Sequence, residues 1–201
     1  MPAYRAMIAS PLEPEHVERI RASIPDSVEL IYVPELYPPT RYVADHYGPP
    51  DFRRTNEQQA RWLELAATAD FAFEFPVNTR HPREYAPKLR WVQTSSSGIG
   101  QMLLRMGIAQ DDLIVTNARG VHARPLAEFV FFVLLAAVKE AARNRDEQAR
   151  HHWERFCGEE LSGKTMAIVG PGLVGQDIAR IARAFDMKPV ALGRDNRPER
   201  A

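Results

Sequence analysis

The chain has 201 residues, 45% of them hydrophobic and 26% charged, which is the balance of a globular protein with enough length to bury a real core. Its 26 basic and 26 acidic side chains cancel, so charge makes no case for nucleic acid or an anionic membrane surface as partner. The lone Cys157 excludes an internal disulfide and a cysteine-built metal site, and with no signal-peptide pattern at Met1–Ala9 the expected setting is the cytoplasm.

Tyr4 to Ala9 reads as a first strand, followed by a helix with Val17, Ile20 and Ile24 on one face, then a second strand from Val28 to Val33. Five of the 16 prolines fall between Pro34 and Pro50, beside Tyr32, Tyr37, Tyr42 and Tyr47, which predicts an irregular loop whose tyrosines cover its own underside. Thr55 and Gln58 have capping-box spacing and open a helix to about Ala67. Further strands are expected at Phe71–Phe75, Leu89–Thr94 and Leu113–Thr116, with the small-residue loop Ser95–Gly100 after the fourth. Strands alternating with helices indicate a parallel α/β sheet. From Arg124 to about Arg145 the pattern predicts one long helix, apolar on more than one side and suited to a place between two domains or against another subunit.

The most informative stretch is Glu159 to Arg194. Thr165–Val169 is a short apolar run ending in Gly170-Pro171-Gly172-Leu173-Val174-Gly175; an amphipathic helix with Ile178, Ile181, Ala182 and Phe185 follows, and Pro189–Leu192 supplies the next strand. In that context the glycines have separate tasks: Gly170 for the tight turn, Gly172 for close approach of a diphosphate, Gly175 for helix-to-sheet packing. The free N–H groups at the helix start, those of Leu173 and Val174 among them, face the phosphates. An acid at the end of the second strand would take the ribose hydroxyls of NAD, but Gly193 and Arg194 stand there. A guanidinium suits a 2′-phosphate, so NADP is preferred over NAD; the competing reading has Arg194 solvated and Asp195 turned to the ribose.

Leu89-Arg90-Trp91-Val92-Gln93 with Ser97-Gly98-Ile99, Thr116-Asn117, Gly120-Val121-His122, Ala127-Glu128 and the segment Trp153–Met187 together resemble the D-isomer-specific 2-hydroxyacid dehydrogenases, most closely the glyoxylate and hydroxypyruvate reductase branch. The resemblance implies a flavodoxin-like substrate domain over 1–121, then over 122–201 a long interdomain helix and the first βαβ unit of a Rossmann domain. It also implies that the backbone N–H groups of Gly98 and Ile99 hold the carboxylate of a small 2-oxo or 2-hydroxy acid, which is sensible for adjacent amides in a glycine-bearing turn. A homodimer is implied for the full-length form.

The family's catalytic arginine, glutamate and histidine have no match in these 201 residues, so no catalytic residue is assigned and the chain is expected to be an incomplete, inactive portion. Asn117-Ala118-Arg119-Gly120 mimics the motif around that arginine but precedes the long helix, so Arg119 receives no catalytic role, and His122, with no acid nearby in sequence, is read as structural. Two alternatives stay open: an NAD(P)-sensing module of the corepressor type without turnover, and a nonfunctional remnant.

Overall fold

The computed structural model describes residues 2–109 and 111–194 and divides into two compact units, Met1–Arg119 and Gly120–Ala201. The division falls two residues before the sequence-based boundary.

The first unit holds β1 (Tyr4–Ile8), α1 (Pro14–Ser23), β2 (Val28–Ile31), α2 (Asn56–Thr68), β3 (Phe71–Phe73), β4 (Trp91–Gln93), α3 (Gly100–Arg105) and β5 (Ile114–Thr116). All neighbouring strands are parallel, in the order β2-β1-β3-β4-β5, the flavodoxin-like arrangement in which ligands collect at the carboxyl ends of strands. Met7, Ala72 and Val92 stand level on three adjacent strands and are all buried, which places the core along the middle of the sheet. α2 begins with the expected capping box: the Thr55 hydroxyl accepts from the Gln58 N–H at 3.2 Å, and the Gln58 side chain accepts from the Thr55 N–H at 3.0 Å. The same helix sinks Trp62 into the core at 1% exposure, its indole N–H satisfied by the Pro76 carbonyl at 2.9 Å.

Two strands stop earlier than their apolar runs. The second ends at Ile31, because Val33 leads into a short 3₁₀ turn at Pro34–Leu36. The third ends at Phe73, because Glu74 takes a left-handed conformation, φ +64°, and turns the chain. In the proline-rich loop Tyr37 is buried and stacks on the half-buried Tyr32, whereas Tyr42 and Tyr47 are exposed, so only part of the aromatic material covers the loop's underside.

The second unit holds α4 (Ala123–Val138), α5 (Ala141–Ala149), β6 (Thr165–Val169), α6 (Leu173–Ala184) and β7 (Lys188–Leu192). The single long helix expected over 124–145 is therefore two. In a continuous helix the Val138 carbonyl would accept from residue 142; here it accepts from the Glu159 N–H at 2.9 Å, where the chain returns, and Glu140 breaks the path at φ +50°. β6 and β7 pair in parallel with Val169 level with Leu192. α6 packs against α4 through Phe131, Ala182 and Phe185, the two phenyl rings stacked 5.3 Å apart, and Met166 of β6 joins that cluster. The alternate residues of the strands, including Val169, Val190 and Leu192, remain exposed, as do Leu126, Phe129, Phe132 and Val133 on α4. Among the described residues no helix is long and apolar enough to cross a membrane.

Candidate functional site

The turn that joins β6 to α6 is built by its glycines. Gly170 sits at φ +91°, a conformation that costs an L side chain energy, and its N–H donates to the Leu192 carbonyl at 2.9 Å, tying the turn to the end of β7. The Gly172 N–H closes back on the Gly170 carbonyl at 2.8 Å, and the Gln176 N–H donates to the Gly172 carbonyl at 2.8 Å as the helix begins. Between them, the N–H groups of Leu173, Val174 and Gly175 find no acceptor among the described residues, the ordinary state of a helix's first turn. A Cβ on Gly175 would lie 2.5 Å from the Gly170 carbonyl oxygen and 3.1 Å from Ile168 Cγ2, so this glycine lets the helix close on the strand. A Cβ on Gly172 would meet nothing within 4 Å, leaving the turn open to a group approaching from outside. The result is a cradle of amides at the positive end of a twelve-residue helix, suited to phosphate oxygens.

Arg194 lies two residues past Leu192, at the end of the two-stranded sheet that also carries the turn, and it is exposed with no ion pair among the described residues. Asp195, the competing ribose partner, lies outside the described residues.

In the first unit, the loop after β4 holds its shape by different means. The Thr94 N–H donates to the Thr116 carbonyl at 2.9 Å and the Ala118 N–H to the Ser96 carbonyl at 3.1 Å, pinning the loop to the end of β5 and the chain just after it. The Ser95 N–H is taken by the Glu74 carboxylate, and the Glu74 N–H donates to the Gln93 carbonyl at 2.8 Å. Glu74 thus uses up the first amide of the loop. The N–H groups of Gly98 and Ile99 have no acceptor among the described residues, with Gly98 exposed and the Ile99 side chain buried as an anchor. Two adjacent free amides there can accept a carboxylate. Glu74 was not legible as a positioning residue: nothing in the sequence marks an acid after a strand as one that turns left-handed and reaches the next loop.

The Arg119 N–H donates to the Asn117 side chain at 3.2 Å, an Asx turn. His122 precedes α4, is exposed and makes no side-chain hydrogen bond among the described residues. Cys157 is exposed, and no group of three or more His, Cys, Asp or Glu side chains among the described residues could hold a metal.

Comparison with known proteins agrees with this geometry. Residues 131–201 match the NAD-binding domain of the D-isomer specific 2-hydroxyacid dehydrogenases. The chain is 31% identical over 111 residues to a D-3-phosphoglycerate dehydrogenase of Methanocaldococcus jannaschii, covering 54% of this chain and 21% of that protein. It is 30% identical over 125 residues to a glyoxylate reductase of Thermococcus litoralis, covering 58% of this chain and 38% of the relative. The crystal structure of a D-isomer specific 2-hydroxyacid dehydrogenase family protein from Aeromonas salmonicida superposes with a TM-score of 0.72 at 21% identity, covering 97% of this chain and 55% of that one. At that identity the superposition speaks for the fold. The chain thus spans well under two thirds of the length of each of these relatives.

Proposed function

Through residues 131–201 the chain belongs to the D-isomer specific 2-hydroxyacid dehydrogenase family, and from that premise we propose that it binds a nicotinamide dinucleotide and a small 2-oxo or 2-hydroxy acid for hydride transfer between them. The observation that carries this reading is the Gly170–Gly175 turn, with three amides that no acceptor among the described residues takes, an open approach over Gly172 and a helix packed so closely at Gly175 that no side chain fits. The bound cofactor would supply the hydride. The chain's own residues bind and orient: Leu173, Val174 and Gly175 present amides to the diphosphate, and Gly98 and Ile99 present amides to the substrate carboxylate. No residue of this chain is assigned as proton donor, so the proposal concerns binding and is tested by binding. Glyoxylate and hydroxypyruvate are the proposed substrate type, supported by the glyoxylate reductase among the relatives.

NADP is the proposed cofactor because Arg194 stands beside Gly193 at the strand end, where an acid would favour NAD. Titration of the chain with NADPH and NADH, followed by cofactor fluorescence, should show saturable binding of both and tighter binding of NADPH. Arg194→Ala should narrow the gap by about 1–3 kcal/mol, the range for a charge-assisted contact. Equal affinities in the parent protein would remove the arginine from the proposal, and no saturable binding of either cofactor would overturn the proposal itself.

A further inference from the structure

A cavity of about 340 Å³ opens in the first unit where the chain leaves β1 and β3, between the proline-rich loop and α2. That volume lies at the lower end of the range of ~300–1,000 Å³ found for small-molecule sites. Its walls mix proline and aromatic surface with the polar side chains of Arg54, His46, Gln59 and Asn78, and no aspartate or glutamate lines it.

Arg54 is the unusual member. Its guanidinium lies over the Trp62 ring at 3.8 Å from the centroid, with the Phe52 ring at 5.9 Å. Its Nε–H donates to the Leu36 carbonyl at 2.7 Å, which fixes the plane of the group, while its terminal nitrogens have no acceptor among the described residues. Ten other arginines among the described residues reach a carboxylate, Arg41 pairing with Asp45 at 2.7 Å and Arg5 with Glu29 at 3.0 Å among them. Half-burying a cation with no counter-charge is unfavourable, and burial pulls the Arg54 pKa below its usual value. A planar fork held rigid on an aromatic face, its two outer nitrogens turned away from the protein's own acceptors, is pre-organised for a planar or tetrahedral oxyanion.

The loop that walls the cavity is itself built around an ion. The buried Asp45 carboxylate accepts from the Arg41 side chain and from the N–H groups of Arg41, Tyr47 and Gly48, and these bonds hold its pKa well below the carboxylate range. Asp45 is therefore engaged where it stands and cannot neutralise Arg54. His46 follows it, with Nδ1 at 3.4 Å from the Ser10 hydroxyl.

We propose that this cavity is a binding site for a small oxyanion, a carboxylate or a phosphate monoester, held by the outer edge of the Arg54 guanidinium. The proposal stands on the first unit alone and does not depend on the cofactor reading.

Its test is a titration of the ¹⁵N-labelled 201-residue chain with malonate and, separately, with inorganic phosphate at constant ionic strength. The Trp62 indole and Arg54 Nε–H signals report the site, and the exposed Trp91 and Trp153 indoles are internal controls. At least one anion should shift the Trp62 and Arg54 signals saturably, and which one does so assigns the site to carboxylates or to phosphates. Arg54→Gln should weaken that shift at least tenfold. Should that variant unfold, Gln59→Glu, which adds a carboxylate to the wall of the same cavity, should abolish the shift in a folded protein. No saturable shift with either anion, or binding retained in a folded Arg54→Gln or Gln59→Glu protein, would overturn the proposal. NADPH titration of the same variants should be unchanged, which separates this result from any failure at the glycine turn.

Discussion

At Gly170–Gly175 the backbone itself demands glycine, whereas at Ser95–Gly100 nothing steric does. The first turn needs φ +91° at Gly170 and a bare Cα at Gly175, where a Cβ would meet a carbonyl oxygen at 2.5 Å; a Cβ on Gly98 or Gly100 would meet nothing within 4 Å. Both turns follow a parallel strand and both leave adjacent amides free. One is held by local stereochemistry and the other by partners 20 or so residues away, Glu74 on Ser95 and Ala118 on Ser96. A turn of the first kind is intolerant of its own substitution; a turn of the second kind is intolerant of substitution elsewhere.

That contrast can be broken by mutation. The largest effect is expected at Gly175→Ala, where the atom in the way is backbone and cannot rotate aside; overpacking of this kind costs about 1–3 kcal/mol. Thermal denaturation should show the loss in the second unit, with NADPH affinity falling as α6 moves. A variant as stable as the parent would mean that the helix and strand are not in the close contact described. Next comes Glu74→Ala, which strips the Ser95 amide of its charged acceptor. A hydrogen bond to a charged group is worth about 1.5–3 kcal/mol, and for this half-buried carboxylate the lower figure applies. Hydrogen exchange at residues 95–99 should quicken, and exchange unchanged from the parent would show the loop is held without Glu74. Smallest is Gly98→Ala, expected to change stability by less than about 0.5 kcal/mol because the site is open. A larger loss there would erase the distinction between the two turns.

The same division explains what could be read from the residues alone. The strand–glycine–helix–strand order over 165–192 is local, and the pattern of Gly170, Gly172 and Gly175 announced its geometry directly. The capping box at Thr55 is local too. What the chain conceals is set by distant partners: Glu74 turning at φ +64° to reach Ser95, and the helix broken after Val138 because Glu159 returns to take its carbonyl. Residues 124–145 keep a helical pattern throughout, so no periodicity could have shown the break. Arg54 escaped notice for a similar reason. It is one of 26 basic residues in the chain, and only the folded loop shows it stacked on Trp62 without an acid.

The central claim, that the Gly170–Gly175 turn receives the diphosphate of a dinucleotide, is tested most directly by Gly172→Asp. Gly172 is the residue before α6, its backbone is extended at φ −78° and ψ −167°, and a Cβ there meets nothing, so the folded turn accommodates aspartate, which is also among the preferred residues for capping a helix. The added carboxylate would stand where phosphate oxygens are expected. NADPH titration of parent and variant should therefore show melting temperatures equal or higher in the variant, and affinity lower by at least about tenfold, or ~1.4 kcal/mol. A folded Gly172→Asp protein that binds NADPH as tightly as the parent would contradict the account.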